Sequence, residues 1–432
     1  MWRHRSKPRP GFLETVVQQG LIFPETDLPD GSKAPYWNES AWYEFTQQEV
    51  DVLEHATETL WGLCLEAVPK MLRDFDDADL RLPRGTLDLV RESIRAEQPA
   101  LYARFDLRYD GEDLRMMELN GDTPTGLVET AVAQWHWKED MDFSNDTDQW
   151  NSLHERLVDG WQALARSGRI PDGRLHLFYS QADTSGEEEM TTHYMADVAS
   201  QAGLTVSVQP IELITWQEHA SLPKGRFLDA NNEVVRAAFK LYPWEAMLAE
   251  DPVGPILLHG TELDPIRWVE PAWKVLLSTK ALLPVLWEMN PDCPYLLPAY
   301  FDEPRELVEW ISKPLQGREG DNIVVHRWDG TETVNAGAYA DDRRVFQEFR
   351  ELPNFGIDGD GSNYAMVGSW VVDGESAGAV VRESDGPVTD YYSRVVPHVI
   401  SDALEPSFGQ TLLWRNQRVT ESLPRLDLPG SG

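Results

Sequence analysis

Four polar side chains on two neighbouring strand-like segments are the first residues in this sequence that could do chemistry together. Residues 103–109, Ala-Arg-Phe-Asp-Leu-Arg-Tyr, alternate apolar and charged side chains. Side chains alternate faces along a strand, so Arg104 and Asp106 share one face. After Gly111-Glu112-Asp113, the run 114–120, Leu-Arg-Met-Met-Glu-Leu-Asn, puts Glu118 and Asn120 on one face as well. The two pairs meet in one hairpin register only, with Asp106 opposite Glu118 and Arg104 opposite Asn120. That register needs a three-residue turn at 111–113, where Gly111 tolerates unusual dihedrals, or a bulge. A two-residue turn sends the pairs to opposite faces. Two carboxylates and an amide oxygen brought together suit a hard cation such as Mg²⁺. A forked, permanently charged Arg beside them suits a phosphoryl group. On a solvated strand face the same four residues would form cross-strand ion pairs and nothing more.

Three further stretches carry candidate chemistry. The run 121–126, Gly-Asp-Thr-Pro-Thr-Gly, precedes an apolar helical segment. Hydroxyls and amides there could hold an anion, or simply cap the helix. The run 311–323, Ile-Ser-Lys-Pro-Leu-Gln-Gly-Arg-Glu-Gly-Asp-Asn-Ile, reads as strand, glycine turn, strand. It lacks the Gly-Lys-Ser/Thr ending of a P-loop, and no helix follows it. Such a loop can fold over nucleotide phosphates with Lys313 as the strand-borne cation, or be a plain hairpin. Lys280 opens an amphipathic helix, a place where most lysines face solvent.

Elements must position these residues. Thr46-Gln47-Gln48-Glu49 is a capping box, followed by Leu53, Ala56, Leu60, Cys64, Ala67 and Met71 at helical spacing. Pro69 should kink or end that helix. Further helices are expected over 87–97, from 126 to about 137, over 150–167 and over 273–286. Residues 175–210 read as strand, helix, strand, a βαβ unit. A strand is expected at 237–241. Short-turned, antiparallel strands follow between 309 and 382, with 372–376 as one such turn. The tail after about 400 is polar and Pro/Gly-rich, and is expected to be loosely ordered.

Composition bounds the rest. A chain of 432 residues holds about two or three domains. Its formal net charge of −35 argues against binding nucleic acid or an anionic membrane. An acidic surface suits a cationic substrate, and it serves solubility equally well. Two cysteines, Cys64 and Cys293, exclude a disulfide scaffold and a multi-cysteine zinc site. No apolar run reaches the roughly 18 residues of a membrane span, and the N-terminus lacks a signal peptide's apolar stretch, so a cytoplasmic protein is expected.

Taken together, these stretches resemble the synthetase domain of the glutathionylspermidine synthase family, an ATP-grasp family. The resemblance runs from about residue 3 to about residue 400. Its landmarks are residues 36–40 (Tyr-Trp-Asn-Glu-Ser), 104–106 and 117–125. Further on come 240–245 (Lys-Leu-Tyr-Pro-Trp-Glu), the 313–323 loop, 368–370, 378–383 and 396–398. The chain is most similar to the shorter bacterial members, described as acid–amine ligases, and more distantly to trypanothione synthetase.

The resemblance implies an α/β (α+β) protein with an ATP-grasp fold in permuted order and a pre-ATP-grasp-like substrate domain. Residues 1–100 would be a helical region packed on the core. Residues 101–240 would carry the metal hairpin and substrate domain, 241–400 the nucleotide site, and 401–432 the tail. It implies a ligase that phosphorylates a carboxylate with ATP and passes the acyl group to an amine. Glutathione and spermidine typify the two partners, and ADP and phosphate are released. In that family pattern Asp106, Glu118 and Asn120 hold Mg²⁺, in two ions, and Arg104 and Arg382 attend the transferring phosphate and the acid. Lys280, Lys313, Gly317, Gly320 and Asn322 take the nucleotide phosphates, and Gln347, Glu348 and Phe349 form the adenine hinge. Thr123 and Thr125 contact the acid substrate, and Glu188 and Glu189 receive the polyamine. The expected partners are small molecules, with a homodimer allowed. The family's bifunctional members add an amidase domain with a catalytic Cys. Neither Cys here has that context, so amidase activity is not expected. Ala246 stands where proven synthetases carry Thr, which touches substrate identity and not the ATP chemistry. A nucleotide- or polyamine-binding regulator and a phosphotransferase on the same scaffold are the alternatives.

Overall fold

In a computed structural model the described residues are 1–401, apart from 29, 142, 144–146, 251–252, 318–319, 336, 338–342 and 357–360. The tail expected beyond 401 lies outside them. The long helix Gln47–Asp74 begins at the capping box. Thr46 Oγ1 accepts the Glu49 amide at 3.2 Å, and Glu49 Oε2 accepts the Thr46 amide at 3.0 Å. Pro69 does not end it, because five residues follow in helical form. The proline removes one backbone donor and crowds the preceding turn, a cost of about 3 kcal/mol. Ala67, Val68, Met71 and Leu72 are all buried around it. At roughly 1.5–3 kcal/mol for each large apolar side chain, their burial offsets that cost.

This helix lies against the back of a five-stranded antiparallel sheet. The strand order is Arg394–Val396, Glu375–Ser384, Tyr364–Val372, Tyr102–Tyr109, Leu114–Asn120. Phe105, Leu107, Val367 and Val381 join Leu53, Leu60 and Cys64 in one core cluster. The turn joining Val372 to Glu375 has positive φ at both Asp373 and Gly374, as a tight two-residue hairpin requires.

The βαβ reading holds. Arg174–Tyr179, the helix Glu187–Gln201 and Thr205–Pro210 form one unit with its strands paired in parallel. Ala237–Lys240 and Arg267–Val269 extend that parallel sheet on the other side. A third, antiparallel sheet has the order Ala299–Phe301, Arg344–Glu348, Trp310–Pro314, Val324–His326, Glu332–Val334. It carries Lys313. A small sheet of Trp2–Arg5, Ala41–Phe45 and His398–Ile400 joins the first residues to the last described strand.

Two expectations need correction. The helix expected over 273–286 is split into Val275–Ser278 and Leu282–Met289. Thr279 turns extended, and the Lys280 amide donates to Leu315 O at 2.9 Å, so the backbone is tied across to the strand end that carries Lys313. The helix expected from 126 is also irregular, with a π-turn over Glu129–Ala133 before Gln134–Asp140. Among the described residues no helix is long and apolar enough to cross a membrane.

Candidate active site

The hairpin Tyr102–Tyr109/Leu114–Asn120 pairs Arg104 with Asn120 and Asp106 with Glu118. It reaches this register through the bulge and not through a three-residue turn. Tyr109 faces Leu114 across the four residues 110–113, and the register then shifts between Asp106 and Leu107. Met117 is the extra residue. Gly111 in the turn has φ +102°, and Asp110 Oδ1 accepts the amides of Glu112 and Asp113.

Asp106 is buried and sits at the centre. Arg104 Nε donates to its Oδ1 at 3.0 Å, Arg382 Nη2 to its Oδ2 at 2.7 Å, and Asn120 Nδ2 approaches Oδ2 at 3.4 Å. Arg104 also donates to Thr125 O and lies over the Trp370 ring. Burial works against its charge, yet neighbouring Asp106 holds its pKa above the ordinary arginine value. Gly368 faces Asp106 across the sheet. A Cβ there would stand 2.8 Å from Val380 Cγ1 and 3.0 Å from Arg104 Cδ, so only glycine leaves the guanidinium its place. Arg382 Nε is buried without a partner, an orphaned donor beside Asp106.

The two lysines converge on Glu118. Lys280 Nζ lies 3.1 Å from its Oε2, so it faces the site and not bulk solvent. Lys313 Nζ donates at 3.0 Å to Met117 O, the carbonyl of the bulged residue, and at 3.0 Å to Gln347 Oε1. Burial alone would raise the Glu118 pKa. Lys280, Lys313 and Arg382 outweigh it and bring it down to about 2. Burial, with help from Lys280 and against the pull of Glu118, lowers Lys313 to about 8.

The glycine loop follows Lys313. Gly320 has φ +77° and Asn322 φ +54°, both left-handed. Asn322 O accepts Arg344 Nη2 at 2.5 Å. Residues 318 and 319, within the proposed phosphate cover, lie outside the described residues. Of the expected adenine hinge, Gln347 is buried and holds Lys313 and the Met116 carbonyl. The Glu348 amide bonds Pro298 O, and Phe349 packs with Ile311 and Val325.

Two fully buried lysine–carboxylate pairs brace the hairpin's exit. Lys240 Nζ lies 2.8 Å from Asp122 Oδ1, and Asp122 Oδ2 accepts the Trp244 amide at 2.9 Å. Lys274 Nζ lies 2.9 Å from Glu270 and donates to Tyr102 O and Gly121 O. Gly121 has no room for a side chain, since its Cβ would stand 2.6 Å from Leu277 Cβ.

Thr123 and Thr125, half-buried, follow at once. Thr125 hydrogen-bonds Glu187, the first residue of the helix Glu187–Gln201. Glu187 therefore reaches the arginine cluster, whereas the two carboxylates expected to receive the amine do not. Glu188 accepts the Ser180 amide at 2.9 Å, and exposed Glu189 bonds Tyr179. Glu129, at the π-turn, is fully buried and accepts Tyr36 Oη at 2.6 Å. Sequence alone gives Glu129 no role and sets Glu187 only within the acidic 187–189 cluster suited to a cationic amine, although Tyr36 stands among the landmarks. A π-turn frequently marks a functional position, but it has no periodic signature to read. Beyond Ser180, at the carboxyl ends of Thr205–Pro210 and Ala237–Lys240, a cavity of about 220 Å³ is lined by residues that include Glu212, Trp216, Tyr242 and Trp268.

Residues 3–401 match the family model described as glutathionylspermidine synthase preATP-grasp. A Haemophilus influenzae protein described as a "putative acid–amine ligase" is 36% identical, covering 90% of this chain and 97% of its own length. A glutathionylspermidine synthase of Crithidia fasciculata is 24% identical over 89% of this chain and 62% of its own. The bifunctional glutathionylspermidine synthetase/amidase of Escherichia coli is 24% identical over 83% and 59%. The chain thus spans about three fifths of these two longer relatives. A glutathione synthetase-like effector of Globodera pallida shares the fold, with a TM-score of 0.53 and 11% identity over 91% of this chain and 98% of its own.

Proposed function

Because the chain belongs to the glutathionylspermidine synthase family, we propose that it joins a peptide-like carboxylic acid, of which glutathione is the type, to a polyamine such as spermidine. It is a ligase forming carbon–nitrogen bonds, in a family that is ATP-dependent and generally Mg²⁺-dependent. The observation that carries the reading is charge. Arg104, Arg382, Lys280 and Lys313 are four cations gathered on two carboxylates, Asp106 and Glu118. That surplus of positive charge, on a chain of net charge −35, suits a polyphosphate.

In this reading Lys280 and Lys313 hold nucleotide phosphates under the 317–322 loop, with adenine beside residues 347–349. Arg104 and Arg382 hold the acid's carboxylate and the phosphoryl group moving onto it, and the orphaned Arg382 Nε is free to donate to either. Asp106, Glu118 and Asn120 would hold the magnesium, and their all-oxygen donor set fits that hard ion. The reading has these three residues serve two such ions. Bound magnesium supplies neutralisation of the phosphate charge. The protein's own share is orientation and fixed electrostatics. The carboxylate becomes an acyl phosphate, the amine attacks its carbonyl carbon, and phosphate leaves. The corresponding architecture is a permuted ATP-grasp, with residues 101–240 as the metal and substrate part and 241–400 as the nucleotide part, working in the cytoplasm.

The test is ADP release with Mg-ATP across a matrix of acids and amines, with mass spectrometry of the product. A signal that needs both partners, with an amide of their summed mass less water, is expected. ATP binding with no pair-dependent ADP would overturn the reading.

A further inference from the structure

A second cluster of metal-ligating side chains lies on the parallel sheet, and it shares no residue with the arginine–lysine cluster. We propose that His176, Asp229 and Glu233 bind one divalent cation of the zinc type, which pins the turn 229–233 to that sheet. The site stands whether or not the ligase reading does.

The leftover group is an imidazole. His176 sits on the strand Arg174–Tyr179 and is buried. Its ring lies between Asp229 and the backbone of Ala237, yet neither ring nitrogen has a hydrogen bond. A buried polar group left this way is costly and calls for a partner. Nε2 stands 3.5 Å from Asp229 Oδ2, too far for a good hydrogen bond. Two ligands that each reach a tetrahedral Zn²⁺ at about 2.0–2.1 Å are about 3.4 Å apart, so this separation suits one shared ion. One ligand atom from each of His176, Asp229 and Glu233 lies within 4.8 Å of the others.

The turn already holds Asp229 for the task. Its Oδ1 accepts the Asn231 amide at 2.9 Å and the Glu233 amide at 2.8 Å. Its Oδ2 accepts Gln209 Nε2 at 3.1 Å, and Gln209 Oε1 in turn takes the Ala230 amide. Such outer hydrogen bonds orient a ligating carboxylate, and a ligating histidine turns its other ring nitrogen to a partner such as the Ala237 backbone. Glu233 is exposed, so solvent can supply a fourth ligand there. One imidazole and two carboxylates favour zinc over magnesium, the reverse of the all-oxygen set at Asp106, Glu118 and Asn120. Arg174 opposes the ion, since its Nη1 donates to Glu233 Oε2 at 2.5 Å. The turn directly follows the strand Gly225–Leu228, whose Phe227 lines the cavity described above, so the ion would also brace that wall.

Titration calorimetry of the full chain with ZnCl2, in millimolar Mg²⁺ and without nucleotide, tests the site. One equivalent should bind in the micromolar range or tighter, and Co²⁺ in its place should give the visible absorption of a tetrahedral ion. His176→Leu should lose that equivalent, and Glu233→Gln should weaken it about tenfold or more. Arg174→Met should tighten it, because Glu233 is released and a like charge is gone. Zn²⁺ should raise the melting temperature of the wild-type protein and leave that of His176→Leu unmoved. Glu118→Gln should keep the equivalent, and its loss there would place the ion in the magnesium set and overturn the proposal. Absence of a micromolar equivalent, or equal binding in wild type and Glu233→Gln, would overturn it too. Should His176→Leu fail to fold, the half-exposed pair decides. Opposite shifts in Glu233→Gln and Arg174→Met would support the site, and any other pattern would overturn it.

Discussion

Lysine meets carboxylate in two ways in this molecule, a few residues apart. At Lys240–Asp122 and Lys274–Glu270 each cation has its own anion, and both side chains are sealed from solvent. Burial raises the Asp122 and Glu270 pKa values and lowers that of Lys240, the usual penalty on buried charge. At Glu118 the balance is reversed. Two lysines and an arginine outnumber the carboxylate and drive its pKa down to about 2 in spite of burial. Neutral pairs hold the chain together, while the unbalanced cluster keeps positive charge in reserve for an anionic ligand. The difference teaches how a single type of contact, read through its stoichiometry, separates scaffold from site.

The largest effect should come from altering the cluster's anions. Asp106→Asn or Glu118→Gln should lower turnover about 10³-fold, measured as ADP release. Calorimetry should find Glu118→Gln melting within about 4 °C of wild type, and Asp106→Asn, which leaves buried Arg104 without its carboxylate, melting lower but still cooperatively folded at the assay temperature. Retained activity would remove these residues from the site. Next comes the scaffold. Lys240→Met leaves Asp122 charged and alone, and should cost about 3–5 kcal/mol in denaturant unfolding. Adding Asp122→Leu to it should recover part of that loss, because two apolar groups replace a matched pair while the Trp244 amide loses its acceptor. A double variant as unstable as the single one would show that the pair is not the unit. Smaller again, Lys280→Met should raise the Michaelis constant for ATP about tenfold, or about 1.4 kcal/mol, with unchanged unfolding. The smallest effect is salt. Raising ionic strength should weaken ATP binding a few-fold by screening the half-open cluster, with no matching change in the sealed pairs.

The sequence carried the site unevenly. Strand alternation placed Arg104, Asp106, Glu118 and Asn120 together, since side-chain parity is a local property. Parity could not choose between a turn and a bulge, because both restore the same register. Periodicity alone leaves Lys280 on a solvent face, since it gives no sign that Thr279 breaks the helix, and only the family resemblance assigns it to the nucleotide. Glu187, Glu188 and Glu189 are alike in sequence, and only the fold sends the first toward Arg104 and the next two elsewhere. The Lys240–Asp122 pair spans 118 positions, beyond any local pattern. Pro69 does not end its helix because a local rule met a helix whose flank is buried in the core.

The bulge in the hairpin has a consequence for descent. Were Met117 absent, the ladder from Arg104 to Tyr109 could run without interruption, and every pairing in it would stand. What the extra residue adds is a carbonyl, and that carbonyl receives Lys313. A related chain one residue shorter on this strand would keep its carboxylates aligned and lose the seat of an ammonium from a separate sheet. In a sequence comparison such a deletion would look harmless, since every charged residue would still be present.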